Sequence, residues 1–141
     1  MKSTPPKIEN QQSKIENPST QLIQQDRLAQ LLGMRILELA EGRAKVAMDA
    51  RPEHCNGLGI VHGGALFTLA DFAFAAACNS HGHPTVGINA NISYLKAAKP
   101  GPLFAEATEA VNSKIGLCNV RITDEEGTLL ALFQGLSYRR S

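Results

Sequence analysis

At 141 residues, with 43% apolar and 19% charged residues, the chain has the size and composition of one globular domain around a single core. A formal net charge of +1 at pH 7 excludes a broad electrostatic footprint for nucleic acid or acidic lipid, though not one small anionic ligand. Three cysteines, an odd number without a CxxC pair, argue against a disulfide framework or zinc ribbon and for a reducing compartment.

The start, MKSTPPKIENQQ, lacks the apolar stretch of a signal peptide. The longest apolar run, 65–78, is too short to cross a bilayer and contains Asp71. A cytoplasmic protein with no membrane or nucleic-acid partner is expected. Residues 1–20 hold three of the seven prolines (Pro5, Pro6 and Pro18) amid polar residues, and repeat Lys-Ile-Glu-Asn at 7–10 and 14–17. They read as a flexible tail before a domain over 21–141.

Within that domain, 21–32 carries Leu22, Ile23, Leu28, Leu31 and Leu32 at broadly helical spacing, closed by Gly33. The stretches 34–40 and 43–50 alternate around Glu41-Gly42 and read as a hairpin. A loop over 51–61 leads to Gly63-Gly64 and the Ala- and Leu-rich run 65–78. That run favours helix and is apolar nearly all round, so burial on most sides is expected. Thr85 opens a β-like segment over 85–98. Its alternation places Val86, Ile88, Ala90, Ile92 and Tyr94 on one face, with Gly87, Asn89, Asn91 and Ser93 on the other. Further strands are expected over 102–112, 118–123 and 128–138. The order predicts an α+β fold, an antiparallel sheet wrapped around one long central helix.

Charge singles out one residue. Between Glu53 and Lys96 only Asp71 is formally charged when the histidines are neutral, and it sits mid-helix. A carboxylate in such surroundings is either satisfied by hydrogen bonds or kept for chemistry. A second feature is His62-Gly63-Gly64 at the helix start, where free N–H groups point outward and carry partial positive charge. Glycine there lets a carbonyl oxygen approach the backbone, as an oxyanion hole requires. Gly63 and Asp71 are separated by about 12 Å of helix at 1.5 Å per residue. If both act on one substrate, two chains must each supply one, and a two-fold dimer makes two such sites.

The run 56–71, NGLGIVHGGALFTLAD, resembles the helix signature of hotdog-fold acyl-CoA thioesterases, and within them the phenylacetate-degradation (PaaI) type. Leu69-Ala70-Asp71, Ala73-Phe74-Ala75 and Asn91-Ile92-Ser93-Tyr94-Leu95 extend the likeness, which covers roughly 28–139 in element order. It implies a hotdog fold and hydrolysis of aryl-acetyl or short- to medium-chain acyl-CoA. Asp71 would act as general base or nucleophile, and the Gly63 N–H would polarise the thioester carbonyl. Asn56 and His62 would assist there, with Gly64, Phe67, Gly87 and Asn89 binding substrate. Relatives often carry Ser or Thr where Gly87 stands, and Asn89 or water is expected to take over positioning. A homodimer with shared sites, assembled into a homotetramer, is implied, with no metal and no cofactor beyond the CoA of the substrate.

Competing readings are weaker. Cys55 beside His54 lacks an identifiable orienting acid or amide for a thiol nucleophile. His81 and His83 in a Gly/Pro turn read as a solvated loop rather than metal ligands. A hotdog hydratase pairs an Asp with a His five positions on, and Ala76 stands there. A non-catalytic acyl-CoA-binding or sensor module has no need of a lone acid set against a Gly-Gly helix start.

Overall fold

The computed structural model describes residues 17–140. Two short helices come first, α1 (Pro18–Gln24) and α2 (Arg27–Leu31), then a hairpin of β1 (Arg35–Ala40) and β2 (Arg43–Ala50). The long helix α3 (Gly63–Asn79) follows, then β3 (Thr85–Tyr94), β4 (Gly101–Val111), β5 (Ile115–Asp124) and β6 (Leu129–Arg139). Of the tail expected over 1–20, residues 1–16 lie outside the described residues, while 18–20 make the first turn of α1.

The six strands form one antiparallel sheet in the order β1-β2-β4-β5-β6-β3. The sheet curls around α3, and this is the hotdog arrangement expected above. The expected hairpin forms, with Ala40 paired to Arg43 and Gly42 at φ 73° completing its turn. Four alanines let the helix settle into the concave face: Ala70, Ala73 and Ala77 are 0% exposed and Ala76 1%. Around them pack Leu69, Val46, Met48, Leu103, Val120 and Ile122, all buried. Taking a side chain such as Leu69 fully out of water contributes about 1.5–3 kcal/mol, so this cluster dominates the stability of the fold.

Two expectations need correction. First, 21–32 is two helices, because the Asp26 side chain accepts from the Ala29 N–H and starts a new helix there. Leu22, Leu28 and Leu31 consequently point outward, and Ala29, Ser19 and Thr20 take the buried positions. The expected burial of α3 on most sides holds, with one strip left open: Gly64 and Asp71 are exposed, and Thr68 and Ala75 are half-buried. These four positions repeat at i, i+4, i+7 and i+11, one face of the helix, which the sheet leaves open.

The second correction is that β3 does not alternate regularly. Its pairing with β6 shifts between Gly87 and Asn89, so Ile88 bulges out of the ladder. Gly87 opposes buried Ser137, while Ala90 opposes Gly135 and Ile92 opposes Phe133, so all three face the helix side. The bulge thereby moves Gly87 onto the face with Ala90, Ile92 and Tyr94, and leaves Val86 and Ile88 exposed.

The far end of α3 is tied to β3 by one side chain. Buried Asn79 accepts from the Thr85 N–H at 3.0 Å and donates to the Ala75 and Thr85 carbonyls at 2.9 and 3.1 Å. Asn79→Ala strands a buried backbone donor, so it should cost about 2 kcal/mol in chemical denaturation. An unchanged midpoint would show that this tie is dispensable.

Candidate active site

The chain enters α3 through an ordered loop. A short 3-10 turn at Pro52–His54 and an antiparallel bridge between Cys55 and Val61 bring the loop back on itself. Asn56 holds the tip: its side chain accepts from the Leu58 N–H and its backbone N–H donates to the Ile60 carbonyl. Val61 is anchored to the Ala98 carbonyl, and the His62 N–H donates to that of His54.

His62 is the N-cap of α3. Its Nδ1 accepts from the Gly64 N–H at 2.8 Å, which puts the ring proton on Nε2 when the imidazole is neutral. The His62 carbonyl accepts from the N–H groups of Ala65 and Leu66. In this first turn the Gly63 N–H alone has no partner among the described residues. A helix N-terminus directs such a group outward with partial positive charge.

Tyr94 fixes Gly63 from the other side. Its hydroxyl donates to the Gly63 carbonyl at 3.0 Å, and its ring lies so close that a Cβ on Gly63 would come within 3.1 Å of Cζ. Beside this turn opens a cleft of about 330 Å³ whose lining includes Asn56, Gly63, Leu66, Tyr94 and Lys96. A second cleft of about 240 Å³ runs past His54, Cys55, His62, Gly64 and Thr68 on the open face of α3.

Asp71 lines neither cleft. It lies two turns further along the open face, and none of its hydrogen-bond or ion-pair partners is among the described residues. The residue is exposed, yet neighbouring protein atoms partly dehydrate its carboxylate. That dehydration first, and the negative charge of Asp26 second, push its pKa above the ordinary 3.8.

The structure thus brings Gly63, His62 and Asn56 together, with Gly64 on the adjoining face, and sets Asp71 apart within the same chain. Phe67 packs edge-on to Phe133 with ring centroids 5.4 Å apart. Gly87 sits beneath the ring of Phe74, and Asn89 is exposed just past the bulge. Sequence reasoning misses the role of Tyr94, since one tyrosine on an alternating strand gives no sign of where its hydroxyl lands.

His81 also needs correction. It is not a solvated loop residue: its Nε2 lies 2.6 Å from Glu109 Oε1, and both side chains are largely buried. Of the cysteines, Cys78 and Cys118 are buried, and the Cys118 thiol is pushed up by its hydrogen bond with Cys78 and by burial. His54 Nδ1 already accepts from the Arg51 N–H, so that nitrogen is engaged and does not serve Cys55 as a base. Among the described residues no group of three or more His, Cys, Asp or Glu side chains is placed to hold a metal ion, and no helix is long and apolar enough to cross a membrane.

Comparison with known proteins agrees with this fold. The sequence model of the thioesterase superfamily matches residues 58–131. A protein of Archaeoglobus fulgidus is 41% identical over 127 residues, 89% of this chain and 82% of its own. Acyl-coenzyme A thioesterase PaaI of Escherichia coli is 33% identical over 120 residues, 84% of this chain and 86% of its own. The solved structure of the E. coli PaaI protein from the phenylacetic acid degradation operon superposes with a TM-score of 0.85 at 31% identity, covering 96% of this chain and 97% of that one.

If His62 caps α3 as described, His62→Ala removes the acceptor of the Gly64 N–H. The expected cost is about 1 kcal/mol in denaturant-induced unfolding, the usual magnitude for an N-cap. A smaller loss than for a distant surface substitution would contradict the capping role.

Proposed function

The chain belongs to the thioesterase superfamily and is an acyl-CoA thioesterase, and we propose that it hydrolyses aryl-acetyl and short-chain acyl-CoA at a site shared between two subunits. One observation carries this reading: the free Gly63 N–H and the lone Asp71 carboxylate lie on the same helix, too far apart to meet on one substrate. At 1.5 Å per residue they are separated by about 12 Å along the axis.

The assembly follows from the sheet edge. β3 is ten residues long, and its outer edge has no partner strand among the described residues. An edge of that length with exposed Val86 and Ile88 is a template for pairing with a second copy. Two β3 edges related by a two-fold axis set the open face of one α3 toward the loop and helix start of its partner. Pairs of such dimers then make a homotetramer. The three free thiols are in keeping with a cytoplasmic location.

In the proposed reaction the thioester oxygen accepts from the Gly63 N–H of one subunit. Asp71 of the other takes a proton from water as the water oxygen bonds to the carbonyl carbon. The resulting oxyanion is held at Gly63; its collapse breaks the carbon–sulfur bond, and the CoA sulfur recovers the proton from Asp71. A carboxyl whose pKa is raised is a better proton acceptor at that moment than an ordinary aspartate. Asn56 keeps the loop at the carbonyl, and Lys96 on the rim of the cleft suits the phosphates of CoA. Water, a carboxylate and a backbone donor suffice, so this scheme asks for no cofactor beyond the CoA of the substrate.

Asp71→Asn should lower kcat about a thousandfold in assays of free thiol release from phenylacetyl-CoA. Gly63→Pro removes the N–H at a position where proline is tolerated, and His62 at φ −59°, ψ 135° already has the backbone proline requires before it. The proline Cβ meets the Tyr94 ring just as that of Gly63→Ala does, so the two variants differ in the N–H. The proline variant should lose about a hundredfold or more, whereas Gly63→Ala, which keeps the N–H, should lose far less. Co-expressing the Asp71→Asn and Gly63→Pro chains should restore roughly a quarter of wild-type turnover, because half the dimers are mixed and each has one intact site. No recovery in mixed dimers rules out the shared site.

The pH dependence follows from Asp71. The base is active when ionised, so kcat/KM rises with pH, with its midpoint above the ordinary 3.8. Asp26→Asn keeps an N-cap for α2 but removes the second cause of the shift, so the midpoint should move down. A midpoint that stays put would mean that Asp26 is too well screened to matter.

A further inference from the structure

Phe74 lies three residues beyond Asp71 on α3, so its ring starts about 4.5 Å further along the helix axis and leans back toward the preceding turn. It is 3% exposed and held on three sides. A Cβ on Gly135 would come within 2.8 Å of both Cε1 and Cζ of this ring, and a Cβ on Gly87 within 2.9 Å of Cε2. Neither glycine has a positive φ, so the backbone does not call for glycine at these positions; the ring does. On the third side stands Phe133, its centroid 5.7 Å away, with Phe67 beyond it.

The strip between α3 and β3 is exposed to solvent just before this point. Ala90 faces the helix side opposite Gly135, yet it is exposed, as is Asp71. Ala90 presents only a methyl group there, so a flat or short group laid on this exposed strip would reach the carboxylate with the aromatic row at its end. At the next turn the Phe74 ring fills the space that the two glycines leave.

We propose that Phe74 is the end wall of the acyl groove and sets the longest acyl group that the site accepts. This rests on the reading above, in which Asp71 acts at the thioester carbonyl. An acyl group running from that carbonyl along β3 meets the Phe74 ring within about one helical turn. A phenylacetyl group fits beside the row of Phe67, Phe133 and Phe74, where offset and edge-on ring contacts are favourable. An extended alkyl chain must displace a ring seated between two strands. Gly87 then serves as the seat of this wall.

The test is a profile of kcat/KM across acetyl-, butyryl-, hexanoyl-, octanoyl-, dodecanoyl- and phenylacetyl-CoA. Wild type, Phe74→Ala, Phe74→Leu and Gly87→Ala are compared, the leucine variant keeping the test open should the alanine variant not fold. Wild type should prefer phenylacetyl and the short chains. Phe74→Ala should raise the long-to-short ratio about tenfold or more, the scale on which a hydrophobic pocket senses added methylenes, and Phe74→Leu should raise it less. Gly87→Ala pushes the ring toward the groove and should lower the ratio. Equal loss on every substrate, or an unchanged profile, overturns the proposal. If wild type hydrolyses none of the series, the assigned reaction falls instead. Calorimetric Kd values for the same thioesters then decide the wall, by whether the Phe74 variants shift the length preference.

Discussion

The whole molecule depends on how closely one helix can approach a curved sheet. Ala70, Ala73, Ala76 and Ala77 give α3 a nearly flat inner surface, and the strands close over it with no room to spare. Everything at the candidate site follows from that embrace being incomplete. The sheet covers most of the helix circumference and stops, and the uncovered strip is where Asp71 can stand without a buried partner. A larger side chain among the four alanines would lift the helix and disturb both ends of the site at once.

Glycine has two different meanings along this chain. At Gly63 the absent side chain makes space for Tyr94 and leaves a backbone donor accessible. At Gly87 and Gly135 the space is already occupied, by an aromatic ring arriving from the helix. A ring of the same chain stands at both kinds of glycine, but only the first leaves a backbone group open to the outside. Only the packing separates them, since both look the same in a row of letters.

Much of the architecture is legible in the order of residues alone. The hairpin, the long helix and the later strands are local patterns, and 56–71 is a long enough motif to carry the family. What escapes such a reading is set by side-chain reach and by contacts distant in sequence. Asp26 splits the first helical segment by capping the second half, and a three-residue reach is easily lost in a leucine-rich stretch. The bulge at Ile88 is a decision of the β3–β6 pairing, so a period-2 reading of β3 assigns Gly87 to the wrong face. His81 reads as solvated because its partner, Glu109, arrives from a strand 28 residues later. The candidate site is half legible: the motif groups the residues of the α3 start correctly, while the part Tyr94 plays there emerges only from the fold.

The hydrogen bond from Tyr94 to the Gly63 carbonyl has a mechanical consequence. It rivets the free end of the edge strand to the first turn of the helix, just as Asn79 rivets the strand's beginning to the last turn. Strand and helix therefore form a rigid frame braced at both corners, with Asp71 on the span between. A force applied at the outer edge of β3 is carried directly to both ends of α3, and sliding of one against the other is resisted. Such bracing holds Gly63 and Asp71 in fixed relation to one another whatever load falls on that edge.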